Sequence, residues 1–303
     1  MQKQTNDPGV GVSYKGKFKR IINKDGSFNV IKRGRVWGLK DSFQYLVTLD
    51  WSSFLVLVFI SFILLNSFFA CLYVGIGVEN IRGVNPALGE WLTGFFFSVQ
   101  TLTTIGYGHL APKGLLMNLA VSFEALIGLL SFALATGVMY ARFSRPTARV
   151  VFSKTILIAP YKEGKSLQFR FANIRGNVLM DARVKMLLTF TEHKGDNRKR
   201  QFYQLDLETD NITFFPLTWT VVHPIEHDSP LYGMSMEDLI KYETEILISF
   251  RAFDDAYSET IYSRYSYTYD EIEMDKKFVP AFKIEKSGNS VLDLNLISET
   301  EKV

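Results

Sequence analysis

The sequence predicts an α-helical membrane domain with two transmembrane helices, followed by a cytoplasmic immunoglobulin-like β-sandwich. Three features support this fold class: residues 51–78 carry no charge, residues 114–141 carry only Glu124, and the chain beyond residue 150 mixes charged and apolar positions throughout. Both runs exceed the roughly 20 residues that cross about 30 Å of hydrocarbon as a helix. The first run also lies too far from the start of the chain to be a signal peptide.

The first 50 residues lead up to the membrane. Residues 1–35, rich in Lys, Gly and Asn, are expected to form a poorly ordered N-terminal segment. Residues 36–50 carry apolar side chains on one helical face and polar side chains on the other, which predicts a helix lying along the membrane interface. The apolar face comprises Trp37, Phe43, Leu46, Val47 and Leu49. The alternative is a polar lead-in to the first crossing.

Residues 51–143 are predicted to form the transmembrane domain, with a re-entrant segment between the two crossings. Residues 91–108 are free of charge but short, and they end in TTIGYG. Glycine weakens a helix and permits positive φ, so we expect non-helical backbone there. In lipid, such backbone is tolerated only inside protein or along a water-filled cavity.

The distribution of basic residues predicts that both termini are cytoplasmic. Basic residues cluster before the first crossing and after the second, at Lys15, Lys17, Lys19, Arg20, Lys24, Lys32, Arg33, Arg35, Lys40, Arg142, Arg145, Arg149 and Lys154. Only Arg82 and Lys113 lie between the crossings, and cytoplasmic flanks are the ones enriched in Lys and Arg. The net charge is +3, with the basic residues at the membrane face, which argues against a nucleic-acid partner.

Residues 144–303 are predicted to form the β-sandwich. In residues 182–190, Val184, Met186, Leu188 and Phe190 alternate with polar residues, and a period of two is typical of a strand. Similar short runs, separated by turn sequences such as KEGK and HKGDN, favour an antiparallel sandwich. The one helical candidate in this half is residues 235–242.

The sequence TTIGYG carries the predicted chemistry. Its glycines permit a backbone whose twist alternates, so that the carbonyl oxygens of successive residues point the same way. Rings of such carbonyls replace the water shell of a potassium ion. The filter residues are Thr104, Ile105, Gly106, Tyr107 and Gly108, with potassium expected at Thr104, Ile105, Gly106 and Tyr107.

A ring of carbonyls requires several copies of the chain. With two crossings per chain, the expected closure is a homotetramer. The preceding residues, 88–103, are predicted to form a short helix whose carbonyl end favours a cation. The alternative is a glycine-containing hairpin loop, which would leave backbone groups unpaired in lipid.

Three stretches together resemble one family. TLTTIGYG, MYARFSRPTARVVFS and LTWTVVHPIEHDSPLYG look like an inward-rectifier potassium channel, most similar to the bacterial branch called KirBac. The resemblance covers about residues 30–285. It implies a tetramer with a slide helix, an outer helix, a pore helix, a filter, an inner helix and a cytoplasmic immunoglobulin-like sandwich that extends the pore.

Several positions depart from the eukaryotic pattern of the resembling family. Gln100 stands where eukaryotic relatives have a glutamate, and Leu110 stands where its arginine partner would be. His109 follows the filter, where many other potassium channels have aspartate. These departures point to a prokaryotic member in the cell inner membrane.

The resemblance also implies a gate. Phe132 falls where strong rectifiers carry a pore-blocker-binding aspartate, so strong rectification is doubtful. Tyr140 follows eight residues on, about two helical turns deeper. We interpret both rings as hydrophobic gates, with ordinary helix packing as the alternative.

Glu124 is an expensive residue inside a membrane helix and is expected to face water or a partner. We assign it to the cavity, where it attracts cations or braces the pore helix, with a purely structural, protonated carboxyl as the alternative.

Basic residues at the cytoplasmic face form a candidate lipid site. The residues are Arg33, Arg35, Lys40, Arg142, Arg145 and Arg149, and each cation near the surface attracts anionic head groups by about 1 kcal/mol. In the resembling family this junction receives phosphoinositide or other anionic lipids. The alternative is positive-inside topology alone.

Other signals are weaker. His223, Glu226 and His227 have the spacing H-x-x-E-H, but Pro224 and the preceding strand pattern argue against a helical metal site. No catalytic motif or cofactor is expected, and potassium is the permeant species. The rival hypotheses are a membrane-anchored binding or enzymatic module and a non-selective cation pore.

Overall fold

The computed structural model describes residues 4–16, 19–34, 38–144, 148–194 and 197–303, and the backbone alone at residues 39, 40 and 194. The chain divides into two compact units, residues 34–145 and residues 1–33 together with 146–303. The helices are α1 (Leu39–Thr48), α2 (Trp51–Ile76), α3 (Glu90–Leu102), α4 (Leu115–Phe143) and α5 (Met236–Lys241).

The membrane unit has two described strands of two residues each, and the long strands belong to the β-domain. The strands are β1 (Gln4–Thr5), β2 (Ser13–Lys15), β3 (Ile81–Arg82), β4 (Ala111–Pro112), β5 (Val150–Phe152), β6 (Ile156–Tyr161), β7 (Gly164–Asn173), β8 (Leu179–Lys194), β9 (Asn197–Leu205), β10 (Asn211–Phe214), β11 (Thr218–Ile225), β12 (Glu245–Asp254), β13 (Glu259–Thr268), β14 (Ile272–Met274), β15 (Lys276–Phe278), β16 (Phe282–Ile284), β17 (Ser290–Leu292) and β18 (Thr300–Lys302).

The membrane unit is built on α2 and α4, which have 26 and 29 residues and are apolar enough to cross a bilayer. The shorter helix α3 packs against both of them. Their shared core consists of Phe69, Tyr73, Ile81, Phe97 and Met117. Most other large apolar side chains of α2 and α4 are exposed, as expected where lipid or another copy of the chain replaces water.

The interfacial helix predicted over residues 36–50 corresponds to α1, of which the structure describes residues 39–48. Asp50 then begins α2, because its carboxylate accepts the backbone N–H of Ser53 at 2.9 Å. Hydrogen bonds from Ser52 and Ser53 lower the pKa of Asp50 to about 2. The first crossing therefore starts at a charged N-cap.

The β-domain consists of two main sheets around one core. The larger sheet has the order β1-β9-β8-β12-β13, with β10 on β8 and β2 on β9, and the smaller has the order β11-β7-β6-β14, with β5 on β7. Pairing is antiparallel except between β14 and β6. The core contains Phe169, Phe171, Met186, Phe250 and Tyr267, each fully buried. The alternating residues of 182–190 lie in β8, and α5 is the short helix predicted near residue 235.

The N-terminal segment differs from the expectation of poor order. Strands β1 and β2 pair with β9, and Ile21 and Ile22 are buried against Leu247. The carboxylate of Glu245 accepts the backbone N–H of Ile21 at 2.9 Å, and Arg20 forms an ion pair with Glu271 at 3.0 Å. Composition alone suggested disorder because the partners of this segment lie far away in the chain.

Candidate functional site

The backbone that follows α3 alternates in handedness. Thr104, Gly106 and Gly108 have φ of +57°, +55° and +82°, whereas the intervening Ile105 and Tyr107 do not have positive φ. Such alternation turns successive carbonyl groups toward the same side of an extended chain. Glycine adopts positive φ without steric cost, and Thr104 adopts it at a cost of about 1–2 kcal/mol. Residues 104–108 therefore have the alternating twist that their glycines permit.

Hydrogen bonds attach this segment to the end of α3. The backbone N–H of Thr104 donates to the carbonyl of Thr101 at 3.0 Å, and that of Gly106 donates to the carbonyl of Gln100 at 3.3 Å. The Gln100 side chain is 6% exposed, and its Nε2 has no hydrogen-bond partner among the described residues. The orientation of α3 thus determines where the filter segment begins.

The side chains of the filter segment point away from the fold of their own chain. Ile105 is 54% exposed and Tyr107 is 78% exposed. Aromatic rings of this size are normally covered in a stable protein. Neither side chain is covered by the described residues of its own chain.

Glu124 is completely buried in α4, between α2 and α3. The hydroxyl groups of Tyr73 and Ser98 are both hydrogen-bonded to its carboxyl group. The carboxyl group is therefore engaged with α2 and α3. This geometry favours the bracing alternative over attraction of cations.

The two aromatic residues assigned to the gate lie on the exposed side of α4. Phe132 is 75% exposed and Tyr140 is 73% exposed, whereas Val138 is buried on the opposite face. Eight residues of helix separate the rings by about 12 Å along the axis. Packing within a single chain thus does not account for either ring.

Arg142 is held by the end of α1. Its guanidinium donates to the carbonyl of Leu46 at 2.5 Å and to that of Leu49 at 2.7 Å, and it stacks on the rings of Trp51 and Phe54 at 4.6 and 4.5 Å. Cations are stabilised at a helix carbonyl end. Of the six predicted lipid-binding residues, this one already has protein partners.

The other predicted lipid-binding residues are described only in part. Arg33 and Arg149 are exposed. Arg35 and Arg145 lie outside the described residues, and Lys40 is described by its backbone in α1.

The H-x-x-E-H sequence lies at the end of β11. Both ring nitrogens of His223 are engaged, Nδ1 with the carbonyl of Asp206 at 2.6 Å and Nε2 with the Ser229 hydroxyl at 2.8 Å. In the described part of the chain, no group of three or more His, Cys, Asp and Glu side chains has an arrangement suited to a metal ion. The imidazole stabilises the following turn.

Sequence reasoning missed the partners of Glu124. Asn66 and Ser98 are both fully buried beside it, and their hydrogen bond measures 2.9 Å. The available signal was an asparagine in an otherwise apolar helix, since polar groups in lipid require partners.

Two helices long and apolar enough to span a membrane, a shorter helix between them and a β-domain after them form the arrangement of an ion channel. Comparison of the sequence supports this class, because residues 46–145 match the family described as "Ion channel" and residues 150–303 match "Inward rectifier potassium channel C-terminal domain". The chain belongs to the inward rectifier potassium channel family. It is accordingly a membrane potassium channel, and the rival of a tethered enzyme is set aside.

Individual relatives agree with this family. The inward rectifier potassium channel Kirbac3.1 of Paramagnetospirillum magnetotacticum is 38% identical over 286 residues, which cover 92% of this chain and 95% of that protein. The G protein-activated inward rectifier potassium channel 2 of Rattus norvegicus is 27% identical over 316 residues, covering 95% of this chain and 73% of that one. Among solved structures, the sporulation control protein Spo0M of Bacillus subtilis covers 43% of this chain and 50% of its own at 10% identity, but its TM-score of 0.24 supports no argument.

Proposed function

We propose that four copies of this chain form a potassium-selective pore in which the carbonyl groups of Thr104 to Gly108 replace the water shell of the ion. The observation that carries this proposal is the positive φ at every second residue of this segment, Thr104, Gly106 and Gly108. Ions lose water at the filter, occupy successive carbonyl sites and advance by mutual repulsion.

The tetramer is supported by surfaces that one chain leaves uncovered. Tyr107 is 78% exposed although it lies between two filter glycines. One chain also supplies one carbonyl per level, so a ring requires copies related by rotational symmetry. Channels of this family are typically tetrameric.

Phe132 and Tyr140 are assigned to the gate. Both rings are exposed on one helix, and aromatic rings that converge near a symmetry axis narrow a pore and expel water. With Phe132 in place of an acidic residue, rectification by cations bound at that depth is weak.

The membrane topology and lipid site follow from charge. The channel lies in the inner membrane of a prokaryote, with both termini in the cytoplasm. Its domain boundaries fall near residues 35, 50 and 143. The exposed Arg33 and Arg149, together with Arg35, Lys40 and Arg145, attract anionic lipid. Arg142 contributes by joining α1 to the inner helix α4.

The primary test is rubidium uptake into liposomes that hold the purified tetramer, with sodium as competitor and barium as blocker. We expect uptake that barium stops and sodium hardly affects. The Gly106→Ala variant should lose at least about tenfold of this uptake, because a Cβ destabilises positive φ by about 1–2 kcal/mol in each subunit. Gly75→Ala, in α2 and with open space around the added Cβ, is the matched control.

Substitutions at Phe132 and Tyr140 test the gate, and a substitution at Arg149 tests the lipid site. Reducing Phe132 and Tyr140 to Ala should raise uptake, and unchanged uptake from a conducting tetramer would contradict the gate assignment.

Arg149→Gln should weaken the response of uptake to anionic lipid, whereas Arg183→Gln, an exposed cation in β8, should leave it unchanged. If both variants respond like the wild type, Arg149 has no part in the lipid site.

A further inference from the structure

A continuous row of hydrogen-bonded polar side chains lies inside the membrane unit. Tyr73 of α2 contacts one oxygen of the Glu124 carboxyl, and Ser98 of α3 contacts the other. Ser98 Oγ also lies 2.9 Å from Oδ1 of Asn66, whose Nδ2 donates to the carbonyl of Phe62 at 2.8 Å. The row therefore connects all three membrane helices.

The row is isolated from water and from charge. Tyr73, Asn66, Ser98 and Glu124 are each 0% exposed. Among the described residues, the Glu124 carboxyl group forms no ion pair, and its hydrogen-bond partners are the hydroxyls of Tyr73 and Ser98. An unpaired ionised carboxylate in such surroundings is strongly disfavoured.

The hydrogens in this row determine the state of the carboxyl group. The hydroxyl of Ser98 carries one hydrogen, yet it lies between two acceptor oxygens, one of Asn66 and one of Glu124. The Asn66 amide is fixed in this orientation, because turning it round would place Oδ1 against the carbonyl oxygen of Phe62, which lies 2.8 Å from Nδ2. One more hydrogen is needed between Ser98 and Glu124, and the carboxyl group is the place left for it.

With that hydrogen, every group in the row is satisfied. Tyr73 donates to the carbonyl oxygen of the Glu124 carboxylic acid, whose O–H lies toward Ser98. The Ser98 hydroxyl hydrogen then serves Asn66, and Asn66 donates to Phe62. A buried network of this kind is stabilising only when all its members are paired.

The row is connected to the filter through α3. Ser98 lies two residues before Gln100, whose carbonyl accepts the backbone N–H of Gly106 at 3.3 Å. One turn earlier on the same face, α3 approaches α2 so closely that a Cβ at Gly94 would lie 3.0 Å from the carbonyl of Ala70. A shift of α3 therefore moves the filter segment with it.

We propose that Glu124 is a neutral carboxylic acid and a positioning residue, which fixes α3 between α2 and α4 and thereby fixes the geometry of the potassium filter. The proposal rests on the proposed filter of residues 104–108. It assigns no attraction of ions to Glu124.

The test compares Glu124→Gln with Glu124→Leu in the full-length tetramer. Gln is neutral and nearly the same shape, and its amide can donate to Ser98 while its oxygen accepts from Tyr73. Leu removes the acceptor of the Tyr73 hydroxyl and the carboxyl partner of the Ser98 hydroxyl, which leaves Ser98 only its bond to Asn66. Losing these bonds in a buried site is costly. Ser122→Ala is the matched control, because Ser122 is exposed on the same helix and bonds only to the carbonyl of Asn118, at 2.8 Å.

The first readout is the potassium concentration that half-maximally stabilises the tetramer against heat when sodium is replaced by potassium. This readout reports on the filter whether the gate is open or closed. We expect Glu124→Gln and Ser122→Ala to stay within about twofold of the wild type, and Glu124→Leu to require about tenfold more potassium. The second readout is the infrared band of a protonated carboxyl C=O, expected at neutral pH in the wild type and lost in Glu124→Gln.

Each outcome decides the proposal. If Glu124→Gln requires as much potassium as Glu124→Leu, the charge is needed and the proposal is wrong. A wild-type midpoint for Glu124→Leu equally overturns it. Should Glu124→Leu fail to assemble, Tyr73→Phe removes one hydrogen bond of the row and Ser98→Ala removes two. Wild-type midpoints in both variants would contradict the positioning role. A wild-type tetramer indifferent to potassium would instead overturn the filter, while the infrared band still decides the protonation of Glu124.

Discussion

At the scale of single residues, Gly128 has the least room for a side chain among the glycines described within the membrane helices. A Cβ built on it would lie 2.4 Å from the carbonyl oxygen of Leu102, at the end of α3. Backbone cannot yield as a flexible side chain can, so any larger residue must displace α3 from α4. The inner helix and the pore helix therefore meet at a position that admits only glycine.

Gly128→Ala is accordingly expected to displace α3 and with it the filter segment that follows α3. We expect barium-sensitive rubidium uptake to fall at least about tenfold and the tetramer to lose heat stability by about 1–3 kcal/mol, the usual cost of overpacking. Gly75→Ala, which meets nothing within 4 Å, should be close to neutral. Equal behaviour of the two variants would contradict this account of Gly128.

His223 of the β-domain is a buried histidine whose pKa differs between the folded and the unfolded chain. Burial lowers the pKa of its imidazole, against opposing effects of the Asp206 carbonyl and of the nearby Asp228 and Glu226. The unfolded chain therefore binds a proton more readily than the folded chain. Stability is lost as pH falls below the unfolded value of about 6.5.

His223→Gln should flatten this pH dependence. Between about pH 7.5 and about pH 5.5, the wild-type midpoint of thermal unfolding should fall further than that of the variant. At the higher pH the variant should itself be less stable by about 1–3 kcal/mol, since Ser229 or Asp206 loses a partner. The control is His227→Gln, at an exposed position. If His223→Gln is as pH-sensitive as this control, the assignment of the pH dependence to His223 is wrong.

At the scale of elements, Arg170 of β7 holds the last part of the chain against the β-domain. Its guanidinium donates to the carbonyls of Val279, at 2.5 Å, and Ile297, at 3.1 Å, and it also bonds to that of Leu296. The side chain is 3% exposed, and burial lowers its pKa to about 10, so it remains charged at neutral pH. The ring of Phe278 lies 4.7 Å from it.

Arg170→Ala should release this segment. We expect a loss of about 2–4 kcal/mol in the stability of the β-domain, because several buried carbonyls lose a charged partner. Arg170→Lys should not restore it, since an ammonium group lacks the planar fork. Hydrogen exchange of residues 279–297 is the measurement, Arg183→Ala is the exposed control, and protection equal to the wild type would refute the role.

At the scale of the whole molecule, the two ends of the chain fold into one unit. Residues 1–33 cluster with residues 146–303, and Ile21 and Ile22 are buried at 7% and 4% exposure. Burial raises the pKa of Glu245, although the backbone N–H groups of these two residues oppose the shift. The N-terminal segment covers both an apolar patch and a carboxyl group.

Deleting residues 1–33 should therefore loosen the larger sheet selectively. We expect faster hydrogen exchange in β9, whose partners β1 and β2 are removed, and a lower midpoint of thermal unfolding. Strand β7 lies in the other sheet and should exchange as before. Unchanged protection of β9 would show that the segment does not stabilise the sheet.

Local patterns predicted much of this fold, and long-range contacts account for the rest. The crossings, α5 and strand β8 follow from runs and periods within a few residues. The bonds from Arg142 to Leu46 and Leu49 join positions 96 and 93 residues apart, and Glu245 lies 224 residues from Ile21. No local pattern contains such partners, so the order of the N-terminal segment and the role of Arg142 were missed.

The candidate site divides in the same way. The alternating φ of residues 104–108 was predictable, because glycines at fixed spacing permit positive φ. The role of these residues as a potassium filter stays a prediction. The engagement of Glu124 was not predictable, because Tyr73 and Ser98 lie 51 and 26 residues away in other helices. Phe132, Tyr140 and the lipid-binding residues stay predictions.

The attachment of the last segment by Arg170 has a consequence for how this chain can change over generations. A carbonyl oxygen is present whatever side chain its residue carries, so the arginine recognises main chain and not residue type. Exposed positions of residues 279–297 are free to drift in sequence without loss of attachment. Arg170 has no such freedom, so selection on this contact acts on that residue alone.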